Sequence, residues 1–226
     1  MGATGGFLCG VRAGWALWAA ALTVLWAAGA AAQTASNPNL NAQLLVAARS
    51  GDVAAVERAL AQGAAPNSRN RLGKTALLMA CEKGHAALAA VMQRSGADVN
   101  LASLEGVTPL MAASYGGHAE TAREFLRAGA RTDPADRMHK TALVYAAAQG
   151  HAPVVALLLD AGVPLDAAYQ HNLTALMWAA GQGQTEVVRL LLQRGARADL
   201  RDDRGLNALD IARQQSFAEV VALLSR

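Results

Sequence analysis

The stretch that decides the fold is TALLMACEKGH, Thr75 to His85, because it returns. It reads TPLMAASYGGH from Thr108, TALVYAAAQGH from Thr141, TALMWAAGQGQ from Thr174 and, weakened, NALDIARQQSF from Asn207, always thirty-three residues further on. A fixed interval of that length is the signature of a stacked repeat array. In such an array each unit touches only its neighbours, and the stack builds a long concave surface that usually contains no catalytic pocket.

The unit Gln170 to Asp202 shows how one repeat folds. Leu176, Ala179 and Ala180 have helical spacing, and Gly183 ends that helix. Val187, Val188, Leu191 and Leu192 define the apolar face of a second helix, closed by Gly195 in the left-handed position that often follows a helix. Arg197 to Arg204 is a polar connector. Each unit is therefore two antiparallel helices and a projecting loop, and only a stack of them buries its apolar faces.

Several further positions recur in register. Gly63, Gly96, Gly129, Gly162 and Gly195 close the second helices, and Asn67, Asn100, Asp133, Asp166 and Asp199 follow four residues later. His85, His118 and His151 stand at a Gly-His junction before the second helix, and Leu44, Ala47, Ala48, Gly51 and Val56 place an earlier unit on the same template. These blocks resemble ankyrin repeats, whose consensus runs G-x-TPLHxAAxxGHxxVVxxLLxxGAxxN. The resemblance implies an all-α solenoid of about six helix-turn-helix repeats over residues 40–226, at about 40–70, 71–103, 104–136, 137–169, 170–202 and 203–226. It also implies a non-catalytic protein-binding module.

The chain departs from that pattern at the His of TPLH, where Leu78, Met111, Val144, Met177 and Asp210 stand. In the family that His ties neighbouring loops by hydrogen bonds; here the first four contacts should be hydrophobic and Asp210 solvated. Gln93 replaces a Leu in the second repeat, and Thr121 and Ala122 replace Val-Val in the third, so these two should be the soft part of the array. Less apolar area is buried there, at about 25 cal/mol per Å² lost.

The first residues belong to another physical class. Arg12 is the one cation before an uncharged apolar run from Ala13 to Ala28, and Ala30 and Ala32 offer small side chains before Gln33. That order is a secretory signal peptide, residues 1–32, followed by a short linker, 33–39. The alternative is a retained membrane anchor, since Ala13 to Ala32 is about long enough to span a bilayer. Lys is confined to Lys74, Lys83 and Lys140 amid abundant Arg and Ala, which suggests a GC-rich bacterial genome, and export there points to the periplasm. The expected partner is a periplasmic or membrane-associated protein, bound by a monomer.

Beyond Ala32 the chain keeps all 17 acidic side chains and all but one of its 20 basic ones, too balanced for a nucleic-acid footprint. Of the two cysteines, Cys9 lies in the leader and Cys81 in a small buried slot, so no intramolecular disulfide is expected in the processed chain. The three junction histidines recur one repeat apart, much too far for a shared metal ion, and read as capping or hydrogen-bonded residues. No nucleophile elbow, zinc-protease helix, phosphate loop or dinucleotide glycine pattern is present. No cofactor, metal or catalytic group is expected.

What remains are side chains the scaffold does not specify, on the loop tips and the exposed starts of the first helices. The candidate partner-binding set is Arg71, Lys74, Lys83, Glu105, Tyr115, Arg137, Lys140, Tyr145 and Trp178. Leu104, Val107, Met138 and Leu173 add apolar loop-tip residues that a soluble loop does not need. Apolar side chains rimmed by Arg and Lys have the composition of a protein interface.

Overall fold

A computed structural model describes residues 37–225, so the leader and its possible cleavage lie outside the described residues. Within them the chain forms twelve α-helices in six antiparallel pairs and no strand. These are α1 (Pro38–Ser50) with α2 (Val53–Ala61), α3 (Ala76–Lys83) with α4 (Ala86–Arg94), and α5 (Pro109–Tyr115) with α6 (Ala119–Arg127). Next come α7 (Ala142–Ala148) with α8 (Ala152–Asp160), α9 (Ala175–Gly181) with α10 (Thr185–Gln193), and α11 (Ala208–Gln214) with α12 (Ala218–Leu224). α1 begins inside the stretch read as linker, with Asn37 accepting the Asn39 N–H at 3.0 Å.

The repeated threonine is what starts each inner helix. Thr75, Thr108, Thr141 and Thr174 are extended, and each Oγ1 accepts the N–H three residues on, at 3.2, 3.2, 3.5 and 3.3 Å. Asn207 does the same for α11 at 2.9 Å. A cap of this kind contributes about 1 kcal/mol. Asp210 returns the bond to the Asn207 N–H, so it completes a capping box where free solvation was expected.

First helices pack on first helices and second on second, giving two rows with the core between them. The family's His slot is apolar and buried as expected: Leu78, Met111, Val144 and Met177 are no more than 2 % exposed. Cys81 is packed among them, and burial pushes its thiol far above the usual range, which leaves it unreactive. In the third repeat Phe125 is fully buried where the second and fourth use Met92 and Leu158. Its ring returns volume lost at Thr121 and Ala122, so the softness read from the sequence is partly repaired there.

The junction histidines do not cap with their side chains. Each ring lies instead on the glycine that ends the preceding repeat's first helix. A Cβ on Gly51, Gly84 or Gly117 would come within 2.7, 2.6 and 2.5 Å of His85, His118 and His151 respectively. Those glycines are left-handed as well, so the position excludes side chains twice over. Gln184 on Gly150 and Phe217 on Gly183 continue the ladder with other residues.

Neighbouring repeats are also clasped outside the core. At the base, Asn67, Asn100 and Asp166 accept the backbone N–H of Asp98, Arg131 and Arg197 in the next repeat at 2.9, 2.8 and 3.0 Å. At the loop tips, the Leu104, Arg137 and Asp203 N–H groups donate to the Leu72, Glu105 and His171 carbonyls at 3.0, 3.0 and 3.1 Å. Both series fail at one junction. Asp133 would meet Pro164, which has no N–H, and it pairs with Arg131 instead. No corresponding bond joins Gln170 to Met138. The tip that follows turns through a short 3-10 segment, Gln170–Asn172, with His171 and Asn172 left-handed. The loops on either side of the fourth repeat's helices, residues 133–138 and 164–170, are therefore clasped to each other by neither bond, while Asp166 still ties the fourth repeat to the fifth.

Candidate partner-binding face

Four of the five loop tips are organised by a short polar side chain whose oxygen accepts N–H groups two or four residues on. Asn70 takes those of Leu72 and Lys74, Asp136 those of Met138 and Lys140, Asp202 those of Arg204 and Leu206, and Ser103 that of Val107. This is the side-chain-to-backbone turn that Asn, Asp and Ser favour. Tyr169 holds the place in the remaining tip, the irregular one beside the unclasped junction. These anchors were not singled out from the sequence, although their thirty-three-residue recurrence was visible there. Asp202, within the polar connector that ends at Arg204, is buried. Its carboxylate stays below the usual range despite desolvation, through hydrogen bonds from the Leu206 and Arg204 backbone and the Arg204 guanidinium.

The tips fold back over the row of first helices. Lys74 reaches Glu82 on α3 at 2.7 Å, and the Tyr145 hydroxyl on α7 donates to the Asp136 carboxylate. Burial, followed by that carboxylate, pushes the Tyr145 phenol well above its ordinary value, so it remains a proton donor. The Lys140 ammonium stands 5.7 Å from the Tyr145 ring centre and 4.9 Å from that of Trp178 on α9. Tyr115 on α5 meets Tyr145 edge to face at 5.7 Å. The three aromatic residues of the candidate set thus lie in one row, with a lysine between the last two.

The remaining members border that row. Arg137 pairs with Glu105 across two tips at 3.4 Å. Arg71 and Lys83 are exposed, and among the described residues neither has an ion-pair partner. Leu72, Leu104 and Met138, on three successive tips, are each 58–60 % exposed, and Tyr115 is 55 % exposed. Val107 and Leu173 differ from expectation: both are half-buried and packed against the core. Trp178 is half-buried too, and its indole N–H is enclosed without an acceptor. A cleft of about 320 Å³ opens between the third and fourth repeats, lined by Glu82, Val107, Met111, Ala112, Tyr115 and Tyr145.

With this geometry in view, the likeness to known proteins is specific. The family model described as Ankyrin repeats (3 copies) matches residues 44–133, 87–168 and 163–226, nearly all of the described chain. The chain belongs to the ankyrin-repeat family. Its structure is similar to the crystal structure of EF0377, an ankyrin repeat protein, with a TM-score of 0.73 and 28 % identity. That match covers 82 % of this chain and 98 % of the other. No curated protein is a significant match by sequence. Ankyrin repeats are in general protein–protein interaction modules, and the fold is typically non-catalytic. The described residues contain no cluster of three or more metal-ligating side chains.

Proposed function

We propose that this ankyrin-repeat chain holds a protein partner against its loop tips and first helices, and that it does so in a bacterial cell envelope. One observation supports the choice of face. Exposed Leu72, Leu104, Met138 and Tyr115 adjoin the Tyr115–Tyr145–Trp178 row, an apolar surface that the scaffold itself does not require. Interface energy concentrates on aromatic anchors surrounded by a polar rim, and here Arg71, Lys74, Lys83, Glu105, Arg137 and Lys140 form that rim.

The envelope location rests on the leader-like order of Arg12, the apolar run and Ala30-Ala31-Ala32. The same run supports a second reading, a membrane-tethered scaffold with an uncleaved N-terminal segment. Among the described residues no helix is long and apolar enough to cross a membrane, so tethering would fall to that run. Intact mass of the native protein separates the two: loss of residues 1–32 favours the exported module, and retention favours the tether.

The binding face is tested by capture of partners from a native envelope extract. Tyr115→Ala, Met138→Ser and Arg137→Glu are each compared with a control on α10, Glu186→Lys combined with Arg189→Glu, whose pair stands at 3.5 Å on the surface. Loss of the same captured proteins in the first three variants alone is the expected result. Normal capture by folded face variants, with loss in the control, would place the binding surface elsewhere.

A further inference from the structure

The charges on this face do not balance locally. Of the five cations on the tips and first helices of the second to fourth repeats, Lys74 is committed to Glu82 and Arg137 to Glu105. Asp136 is committed to its own tip and to Tyr145. Arg71, Lys83 and Lys140 are left without a carboxylate among the described residues. Lys140 is instead held over Tyr145 and Trp178, which fixes its ammonium beside the aromatic row. The cleft next to it is apolar over Val107, Met111, Ala112 and both tyrosine rings, and its volume of about 320 Å³ is at the small end for a ligand site. A space of that size suits a side chain or two better than a drug-sized molecule.

Resting on the binding role proposed above, we infer that this cleft is a slot for one aliphatic or aromatic side chain of an extended, acidic segment of the partner. Carboxylates flanking that side chain would meet Lys140 on one side and Lys83 and Arg71 on the other. The apolar residue supplies burial against Tyr115, Tyr145 and Met111. The carboxylates supply register and speed of encounter, because charge complementarity acts mainly on specificity and association rate. Aromatic residues beside cations are also what single-stranded nucleic acid stacks on. The slot is nonetheless floored by Val107, Met111 and Ala112, which suit an apolar side chain better than a stacked base.

The test is selection from a random displayed-peptide library on the full chain, followed by anisotropy titration of fluorescein-labelled winners. Expected are peptides with an apolar residue between acidic ones, whose affinity falls with added salt. Lys140→Gln and Tyr115→Ala, the latter at an exposed position, should each weaken binding about tenfold or more, the scale of a hot-spot truncation. Glutamine in place of the peptide's acids should weaken it similarly. Enriched peptides without carboxylates, enrichment of none, or displacement of the winners by oligouridine would overturn the inference. Winners lost by Arg137→Glu and Met138→Ser but indifferent to Tyr115→Ala and Lys140→Gln would refute the slot and leave the face. Winners indifferent to all four would refute both.

Discussion

The Tyr145 hydroxyl donates a hydrogen bond to the Asp136 carboxylate, so the tip of the third loop is fastened to the first helix that follows it. Asp136 is buried and also accepts the Met138 and Lys140 N–H groups at 2.9 and 2.8 Å. One carboxylate thus shapes the turn, while the phenol fixes its angle to the helix. Hydrogen bonds to a charged acceptor contribute about 1.5–3 kcal/mol. Tyr145→Phe keeps the ring against Tyr115 and removes only the donor, so urea unfolding should show a loss of about 1.5 kcal/mol. An unchanged midpoint would mean that water replaces the phenol at no cost.

The base clasps predict a contrast between two neighbouring positions. Asn100 accepts the Arg131 N–H at 2.8 Å and its own amide donates to the Gly129 carbonyl at 3.3 Å. Asp133, one repeat on, makes no bond to the following repeat, because Pro164 offers no N–H. Asn100→Ala should therefore cost about 1 kcal/mol, the net value of an ordinary hydrogen bond. Asp133→Ala should stay within about 0.5 kcal/mol, as surface changes usually do. Equal losses in denaturant melts would remove the clasp as a source of stability.

Acid should loosen the histidine ladder. His118 packs on Gly84, and burial, aided by the nearby His151 charge, holds its pKa below the ordinary 6.5. The unfolded chain then binds more protons than the folded one as pH falls through that range, so stability declines. It is fully present above about 6.5, the ordinary histidine value, and is lost as pH drops through the lower folded value. His118→Gln borrows the residue that Gln184 supplies on Gly150, where its amide donates to the Ala148 carbonyl at 3.0 Å. Thermal melts of the variant between pH 7.5 and 5, a window spanning about two units around the histidine value, should show a shallower decline than the parent. Parallel curves would exonerate His118.

Local stability should differ along the second helices. α10 buries Val187, Val188 and Leu191, whereas α4 offers Leu88, Ala89, Val91 and Met92, with Gln93 half-buried where the later repeats carry Leu. Nearest-neighbour interfaces set local stability in a stack. Amide exchange should be faster over Ala86 to Met92 than over Val187 to Leu192. The opposite order would mean that interfaces other than these hold the array together.

Much of the fold was legible because one interval repeats. Thr75 and its counterparts marked each first helix, the glycines closed each second helix, and Leu78, Met111, Val144 and Met177 sat in the core as their apolar character required. The parts that were less legible depend on geometry between repeats. The sequence suggests capping or hydrogen-bonded rings at His85, His118 and His151. None caps with its side chain, the His151 ring meets the Tyr115 carbonyl at 2.9 Å, and only the approach to the preceding glycines shows all three to be spacers. Asp202 lies in what the sequence shows only as a polar connector; its burial follows from the turn it nucleates. On the candidate face the residue types were readable, but not their commitments. Lys74 and Lys140 are both lysines at the same place in their repeats, yet one is tied to Glu82 and the other rests on two aromatic rings.

Pro164 and Tyr169 give the array a joint. A column of identical links shares any bending load among all its connections, so each turns a little. Where two successive loops lack both outer straps, the load gathers there. The fourth repeat, which lies between those two loops, then turns more than its neighbours, and Lys140 leans from its tip onto Trp178 of the next. A partner whose contour departs from the resting arc is met by rotation at that joint, which borders the cleft between Tyr115 and Tyr145.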